Sequence, residues 1–228
     1  LLYNRDIYAN VALNALLPAL SKHHELALFY SERVGADQQR DPRLEVLIIK
    51  ETSFTPPPGE TFAELAHQAQ SPEIGVTNIN TDQRHLIENF KPDLLISIRF
   101  GQILHEQTIQ LARLGVINLH SGLLPDYRGV MASFRAMVNG DAEIGSTLHY
   151  IQDGGVDTGD ILSIARAPLN PEQSYLLNVL SLYTAGCRQM AFAVQQLDSD
   201  ISLRAQPQQG QANYYSFPTD LELEEFFA

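Results

Sequence analysis

Asn118 and His120 close an apolar run, Gly115-Val116-Ile117-Asn118-Leu119-His120. Residues two apart on an extended strand share a face. Two polar side chains on one face at the end of a buried strand are costly unless they are hydrogen-bonded or put to use. An imidazole moves protons near neutral pH, and a carboxamide N–H can stabilise a developing oxyanion. The plainer reading, that both side chains only tie down the following loop Ser121-Gly122-Leu123-Leu124-Pro125, stays open on this run alone.

A second segment, Asp153-Gly154-Gly155-Val156-Asp157-Thr158-Gly159-Asp160, sets glycines on both sides of an acid. A carboxylate fixed in a tight loop beside an imidazole favours the charged ring. Other readings compete. Asp157-Thr158-Gly159 matches the tripeptide of aspartic proteases, which are all-β and pair two such motifs, whereas this chain has one. A calcium loop starting at Asp153 would need an acid at its twelfth position, which is Ile164. A turn between strands stays open, as it does for any stretch of Gly and Asp.

The third segment is Arg99-Phe100-Gly101-Gln102-Ile103-Leu104, directly after an apolar strand. Its glycine permits close approach of backbone to a flat ligand. The chain contains no G-x-G-x-x-G, no G-x-x-x-x-G-K-[ST] and no H-E-x-x-H. His23, His24, His67, His85, His105 and His149 show no metal-ligand spacing, and no metal is expected. His149 alternates into a strand and reads as packed or solvated. Cys187 reads as a small core residue.

These groups need a scaffold, and strands alternate with helices along the chain. Strand patterns cover Leu1 to Tyr3, Leu26 to Tyr30, Leu44 to Ile49, Asp93 to Ile98, Gly115 to Leu119, Gly145 to Ile151 and Ile161 to Ala167. Helical spacing covers Tyr8 to Lys22, Glu60 to Ala69, Asp82 to Asn89, Glu106 to Arg113, Met131 to Asn139 with Gly140 as its cap, and Ser174 to Leu197. Thr55-Pro56-Pro57-Pro58-Gly59 reads as a surface loop. The alternation predicts an α/β fold with a largely parallel sheet, in which ligands sit beyond the carboxyl ends of the strands.

Composition narrows the function classes. With 228 residues, 44% of them hydrophobic and 18% charged, the chain can bury a sizeable core. Its 15 Lys and Arg against 27 Asp and Glu give a net charge of −12, which opposes a nucleic-acid partner. A single Cys excludes an intramolecular disulfide and fits a cytoplasmic location. Val11 to Leu20, the most apolar early stretch, is interrupted by Asn14 and Pro18, so no membrane span is expected. The N-terminal residues have no basic region leading into a long apolar core and do not read as a signal peptide.

Taken together, the three segments resemble the folate-dependent formyltransferases. The resemblance runs from about Phe100 to Leu162. It rests on Asn118-Leu119-His120, Gly122-Leu123-Leu124-Pro125, Tyr127-Arg128-Gly129, Asn139-Gly140-Asp141 and Asp157-Thr158-Gly159-Asp160-Ile161-Leu162. It implies a Rossmann-like formyltransferase fold in one domain, residues 1–205, with a C-terminal tail, residues 206–228, packing on the domain or on a partner. It also implies a catalytic trio of Asn118, His120 and Asp157. The implied co-substrate is 10-formyltetrahydrofolate, lined by Phe100, Gly101, Gln102, Ile103, Leu104, Leu123, Leu124, Pro125, Asp153, Gly154 and Val156, largely through backbone groups. Gly122 stands where the family pattern has Ser, and the loop from His149 to Asp157 is one residue longer than the pattern.

The implied reaction is formyl transfer to a primary amine of a small molecule, such as an amino sugar nucleotide. Methionyl-tRNA is disfavoured as acceptor because those enzymes add a C-terminal barrel, for which this chain has no room, and because of the acidic charge. Glycinamide ribonucleotide is disfavoured because Asn4-Arg5-Asp6-Ile7-Tyr8-Ala9-Asn10 lacks that branch's glycine-rich loop. The N-terminal segment and Tyr127-Arg128-Gly129 are the expected acceptor side. Two rivals keep the fold: a hydrolase that hands the formyl group to water, and a non-catalytic folate-binding domain. A homodimer is compatible with the aromatic cluster Tyr214-Tyr215-Ser216-Phe217-Pro218.

Overall fold

Five short apolar runs stack as parallel strands because each leaves its backbone groups unpaired unless a neighbour supplies partners. The computed structural model describes residues 1–32, Arg43 and 59–227. In it β1 (Leu2–Asn4), β2 (Leu28–Ser31), β3 (Glu73–Val76), β4 (Leu95–Ile98) and β5 (Val116–His120) run parallel. Two longer strands, β7 (Glu143–Tyr150) and β8 (Ile161–Pro168), add antiparallel. The seven-stranded order is β3-β2-β1-β4-β5-β7-β8. A second ribbon pairs β6 (Arg128–Gly129) with β9 (Tyr214–Tyr215).

Helix α1 (Ile7–Leu20) starts where Asp6 accepts a hydrogen bond from the Ala9 N–H at 2.8 Å. It packs beside the long helix α6 (Tyr175–Asp198) on one face of the sheet, with Tyr8 stacked on Tyr183. That layer holds the larger core, including Leu13, Leu16, Ile98, Leu119, Val179 and Met190. The smaller helices are α2 (Phe62–Gln68), α3 (Arg84–Phe90), α4 (Glu106–Ile109), α5 (Ala132–Asn139) and α7 (Asp220–Phe227). Gly140 ends α5 in the left-handed conformation at φ 69°, as its position predicts.

Several boundaries differ from the sequence reading. No strand is predicted over Glu73–Val76, yet β3 forms there, because pairing with Leu28–Ser31 compensates for a run of only two β-branched residues. The α4 helix stops at Ile109 instead of Arg113, as the chain turns so that Leu114 N–H reaches the Asp93 carbonyl at 2.6 Å. The expected strand Leu44 to Ile49 and all of the proline loop except Gly59 lie outside the described residues.

Strand order reverses between β1 and β4, so the crevice of the sheet opens at their carboxyl ends. Asn4, Asp6 and Arg99 lie at that point, and His120 ends the next strand along.

Candidate functional site

The β5 strand delivers Asn118 half-buried and His120 buried. Its antiparallel neighbour β7 sets His149 directly opposite Asn118. Asn118 Nδ2 lies 3.0 Å from His149 Nε2. The loop between β7 and β8 then brings Asp157, in the left-handed region at φ 52°, onto both rings. Its Oδ2 is 3.5 Å from His120 Nδ1, and its Oδ1 is 3.3 Å from His149 Nε2. The Gly129 N–H donates to Asp157 Oδ2 at 2.9 Å.

Burial pushes the Asp157 carboxyl up. The charge of His120, the hydrogen bond and charge of His149, and the Gly129 amide outweigh it and hold the pKa at about 2. Asp157 is therefore an anion at neutral pH. Tautomers follow from the carbonyls that the rings meet. His120 Nε2–H donates to the Tyr127 carbonyl at 2.7 Å, and His149 Nδ1–H donates to the Tyr150 carbonyl at 2.8 Å. Each ring presents its remaining nitrogen to Asp157.

The structure brings Asn118, His120 and Asp157 together and adds His149, which the sequence reading leaves as packed or solvated. His149 is 1% exposed at its side chain, but what it packs against is the trio. A period-two pattern reports which face of its own strand it occupies, not which strand lies alongside.

The remaining expected lining residues separate by what they touch. Gln102 turns its side chain inward: Oε1 accepts from Ile79 N–H at 2.9 Å, and Nε2 donates to Ser31 Oγ and the Val76 carbonyl, each at 3.1 Å. Leu104 is buried, Phe100 packs against the same core and Ile103 is 55% exposed. Gly101 is half-buried. The Ile103 carbonyl accepts from Asn80 at 2.9 Å. Leu123 and Leu124 are buried, the Leu124 N–H donating to Thr147 Oγ1 at 3.3 Å, and Pro125 follows through a cis peptide. Asp153 is exposed and bends its carboxylate back onto the Gly155 N–H at 2.7 Å. Gly154 is exposed, Val156 is half-buried, and a Cβ at Gly154 would come within 4.0 Å of the Leu104 carbonyl. The 100–104 and 153–157 segments therefore approach each other at Leu104 and Gly154.

The expected acceptor side is partly committed. Arg128 gives both Nε, at 3.0 Å, and Nη2, at 2.8 Å, to Gln208 Oε1. Asp6, besides capping α1, pairs with Arg99 at 3.0 Å. Tail residues meet the site directly: β9 pairs with β6, and Tyr215 stacks on Tyr127. Among the described residues no group of three or more His, Cys, Asp and Glu is arranged to hold a metal ion, and no helix is long and apolar enough to cross a membrane.

Residues 57–176 match the family described as Formyl transferase. Curated relatives include the methionyl-tRNA formyltransferase of Ralstonia pickettii, 35% identical over 126 residues, which are 55% of this chain and 38% of that protein. The enzyme of the same name from Desulfotalea psychrophila is 39% identical over 110 residues, 48% of this chain and 33% of that protein. The chain thus spans well under half the length of these relatives. Among solved structures, the sugar 3N-formyl transferase WlaRD, crystallised with dTDP and 5-N-formyl-THF, superposes with a TM-score of 0.63 at 19% identity, covering 99% of this chain and 76% of that one. A phosphoribosylglycinamide formyltransferase from Anaplasma phagocytophilum gives 0.62 at 21% identity, covering 93% and 94%. At these identities the structural likeness establishes the fold.

Proposed function

This chain belongs to the formyl transferase family, and from that premise we propose that it moves the formyl group of 10-formyltetrahydrofolate onto a primary amine of a small molecule. The observation that carries the reading is the Asp157 carboxylate, held between His120 and His149 with the Asn118 amide alongside. The donor would lie along the 100–104 and 153–157 segments. Gln102 ties its side chain to the neighbouring loop, which leaves that edge to backbone groups and apolar surface such as Ile103, as a flat heterocycle requires.

The amine attacks in its neutral form. Its nitrogen bonds to the formyl carbon, and the carbonyl oxygen becomes an oxyanion. Asn118 Nδ2 carries two N–H groups, and the one not facing His149 can donate to that oxygen. The charge of His120, shared with Asp157, adds electrostatic stabilisation. Because its Nε2–H is committed to the Tyr127 carbonyl, direct donation from that atom requires the ring to turn away from Tyr127. The amine then loses a proton, folate N10 gains one, and the carbon–N10 bond breaks. Asp157 and His149 are the groups placed to relay that proton.

The relatives above 30% identity favour a second reading, an aminoacyl-tRNA amine as acceptor. The net charge of −12 on this chain opposes it. One assay separates the readings. The protein is mixed with 10-formyltetrahydrofolate and tetrahydrofolate release is followed, with no amine, with amino sugar nucleotides, with ornithine derivatives or with methionyl-tRNA. Release that needs one small amine supports the proposal. Release with methionyl-tRNA alone supports the second reading. Equal release in every arm means hydrolysis, and none in any arm removes the transferase reading for this chain.

A further inference from the structure

The tail beyond β8 reaches back to the site through one side chain. Gln208 Nε2 donates to the Asp157 carbonyl at 2.7 Å and to the Gly159 carbonyl at 2.8 Å. Its Oε1 accepts both arms of the Arg128 fork. A primary amide has two N–H donors and one oxygen with two lone pairs, so Gln208 uses its full capacity here. The next residue after Arg128 is Gly129, whose N–H holds the Asp157 carboxylate at 2.9 Å. The contacts close a ring: Asp157 carbonyl, Gln208 amide, Arg128 guanidinium, Gly129 N–H, Asp157 carboxylate. Asp157 is gripped at its backbone and at its side chain by two segments that Gln208 joins.

That grip has something to oppose. Asp157 sits in left-handed backbone at φ 52°, a conformation costly for a residue with a Cβ and retained where surroundings over-determine it. Nearby Asp153 and Gly154 are exposed and Val156 half-buried, so little packing on that side of the loop fixes Asp157. Gly129 is likewise left-handed, at φ 95°, and a Cβ there would overlap the Tyr215 carbonyl oxygen, so the chain reaches Asp157 only with glycine at this place. Gln208 itself lies beyond residues 57–176, the span that matches the family.

We propose that Gln208 is a positioning residue for Asp157, holding the carboxylate between His120 and His149 by joining the 157–159 backbone to Arg128. The proposal rests on the reading of Asp157 as part of the reacting site. His120 on β5 and His149 on β7 are the titratable groups that face the carboxylate. Arg128 is the charged group facing Gln208.

The experiment compares wild type with Gln208→Leu and Gln208→Glu. Leucine breaks both halves of the bridge. Glutamate keeps an acceptor for Arg128 but sets oxygen against the two carbonyls at 157 and 159. Amide hydrogen exchange on the protein alone reads three neighbours: Gly129 N–H, bonded to Asp157, and Arg128 N–H and Val130 N–H, which donate to the Asn213 and Tyr215 carbonyls of the tail. The expected result is Gly129 exchange roughly tenfold or more faster in both variants, with the other two within about twofold. Turnover of 10-formyltetrahydrofolate falls roughly 10- to 100-fold in kcat, as expected for a displaced reacting group, with donor KM little changed. Exchange that rises at all three amides together, or at none, overturns the proposal, since Gln208 would then anchor the tail or do nothing. Wild-type kcat in Gln208→Leu also overturns it, while an inactive Asp157→Asn in the same assay would keep the functional reading intact. If wild type shows no turnover, the functional reading fails separately, and exchange at Gly129 alone then decides for or against positioning. Should Gln208→Leu not fold, Gln208→Glu carries the same readouts.

Discussion

Asn118 Nδ2 stands 3.0 Å from His149 Nε2, and this contact has two incompatible forms. The Tyr150 carbonyl fixes a proton on His149 Nδ1. A neutral ring then offers only a lone pair at Nε2, which accepts from Asn118. A protonated ring offers an N–H instead, which Asp157 Oδ1, 3.3 Å away, can accept, as can the Asn118 carbonyl oxygen after a flip of its amide. Either way, the orientation of the Asn118 amide toward a substrate oxygen is coupled to its contact with His149.

That coupling predicts non-additivity. His149→Phe should lower kcat roughly tenfold or more, the scale of one lost hydrogen bond to a charged or polarised group. Asn118→Ala should lower it by more, about 100-fold, as removal of an oxyanion donor does. If the two residues act through their contact, the double variant should be little worse than Asn118→Ala. Steady-state kinetics on the three variants measures this, and strictly multiplicative losses would show that the residues act independently.

Asp157→Asn should abolish most turnover, by roughly 100-fold or more, because asparagine keeps the shape and loses the charge that both rings face. His120→Ala should act on a similar scale. Both should still fold, since the core is built from Leu119, Leu148 and their apolar neighbours, not from the trio, with Asp157→Asn melting several degrees lower at neutral pH for loss of the held carboxylate. Far-UV spectra and thermal melts alongside the assay check it. Wild-type turnover in either variant would remove that residue from the reacting set.

The parts of this site that were legible in the sequence were those fixed by local pattern. Asn118 and His120 share a strand, so their spacing alone put them on one face. Gly140 and the alternating β7 and β8 were equally local. What was not legible came from register and from distance along the chain. His149 meets Asn118 only because β7 lies antiparallel to β5 with those residues opposite. Arg128 donates to Gln208, 80 positions away. β3 is four residues of weak pattern stabilised by pairing with β2. The side-chain partners of Gln102, the Ile79 N–H and the Val76 carbonyl, lie more than twenty positions away and leave no mark in the local pattern.

The Asp157 carboxyl also sets an acid limit on stability. Its folded pKa of about 2 lies below the ordinary value of 3.8, so the folded state binds its proton less readily than the unfolded chain does. The contribution is fully present above about pH 4 and is lost as pH falls from there toward about 2. Its size is roughly 2 kcal/mol at neutral pH. Denaturant titrations of wild type and Asp157→Asn at pH 7 and pH 3 should show the difference between the two proteins shrinking at the lower pH. A difference that stayed constant would mean that the carboxylate is not held by its neighbours as the geometry indicates.

Gly122 offers the sharpest steric test of the His120 position. A Cβ placed there would stand 2.5 Å from His120 Nε2 and 2.5 Å from the Ala132 Cβ, both well inside contact distance. Neither neighbour can yield freely: Ala132 begins a helix, and His120 Nε2 is held on the Tyr127 carbonyl at 2.7 Å. Gly122→Ala should therefore push the ring off Tyr127 and change its distance from Asp157. The expected outcome is a fall in kcat of roughly 10- to 100-fold, the scale of a displacement of about 1 Å at a reacting group. A stability loss of about 1–3 kcal/mol from overpacking should accompany it. Pairing Gly122→Ala with Ala132→Gly removes one of the two clashes, so stability should recover only in part, glycine in a helix costing about 1 kcal/mol, while turnover stays low. Kinetics and denaturant melts on the single and double variants separate the two effects, and full recovery of turnover in the double variant would place the critical clash at Ala132 and not at His120.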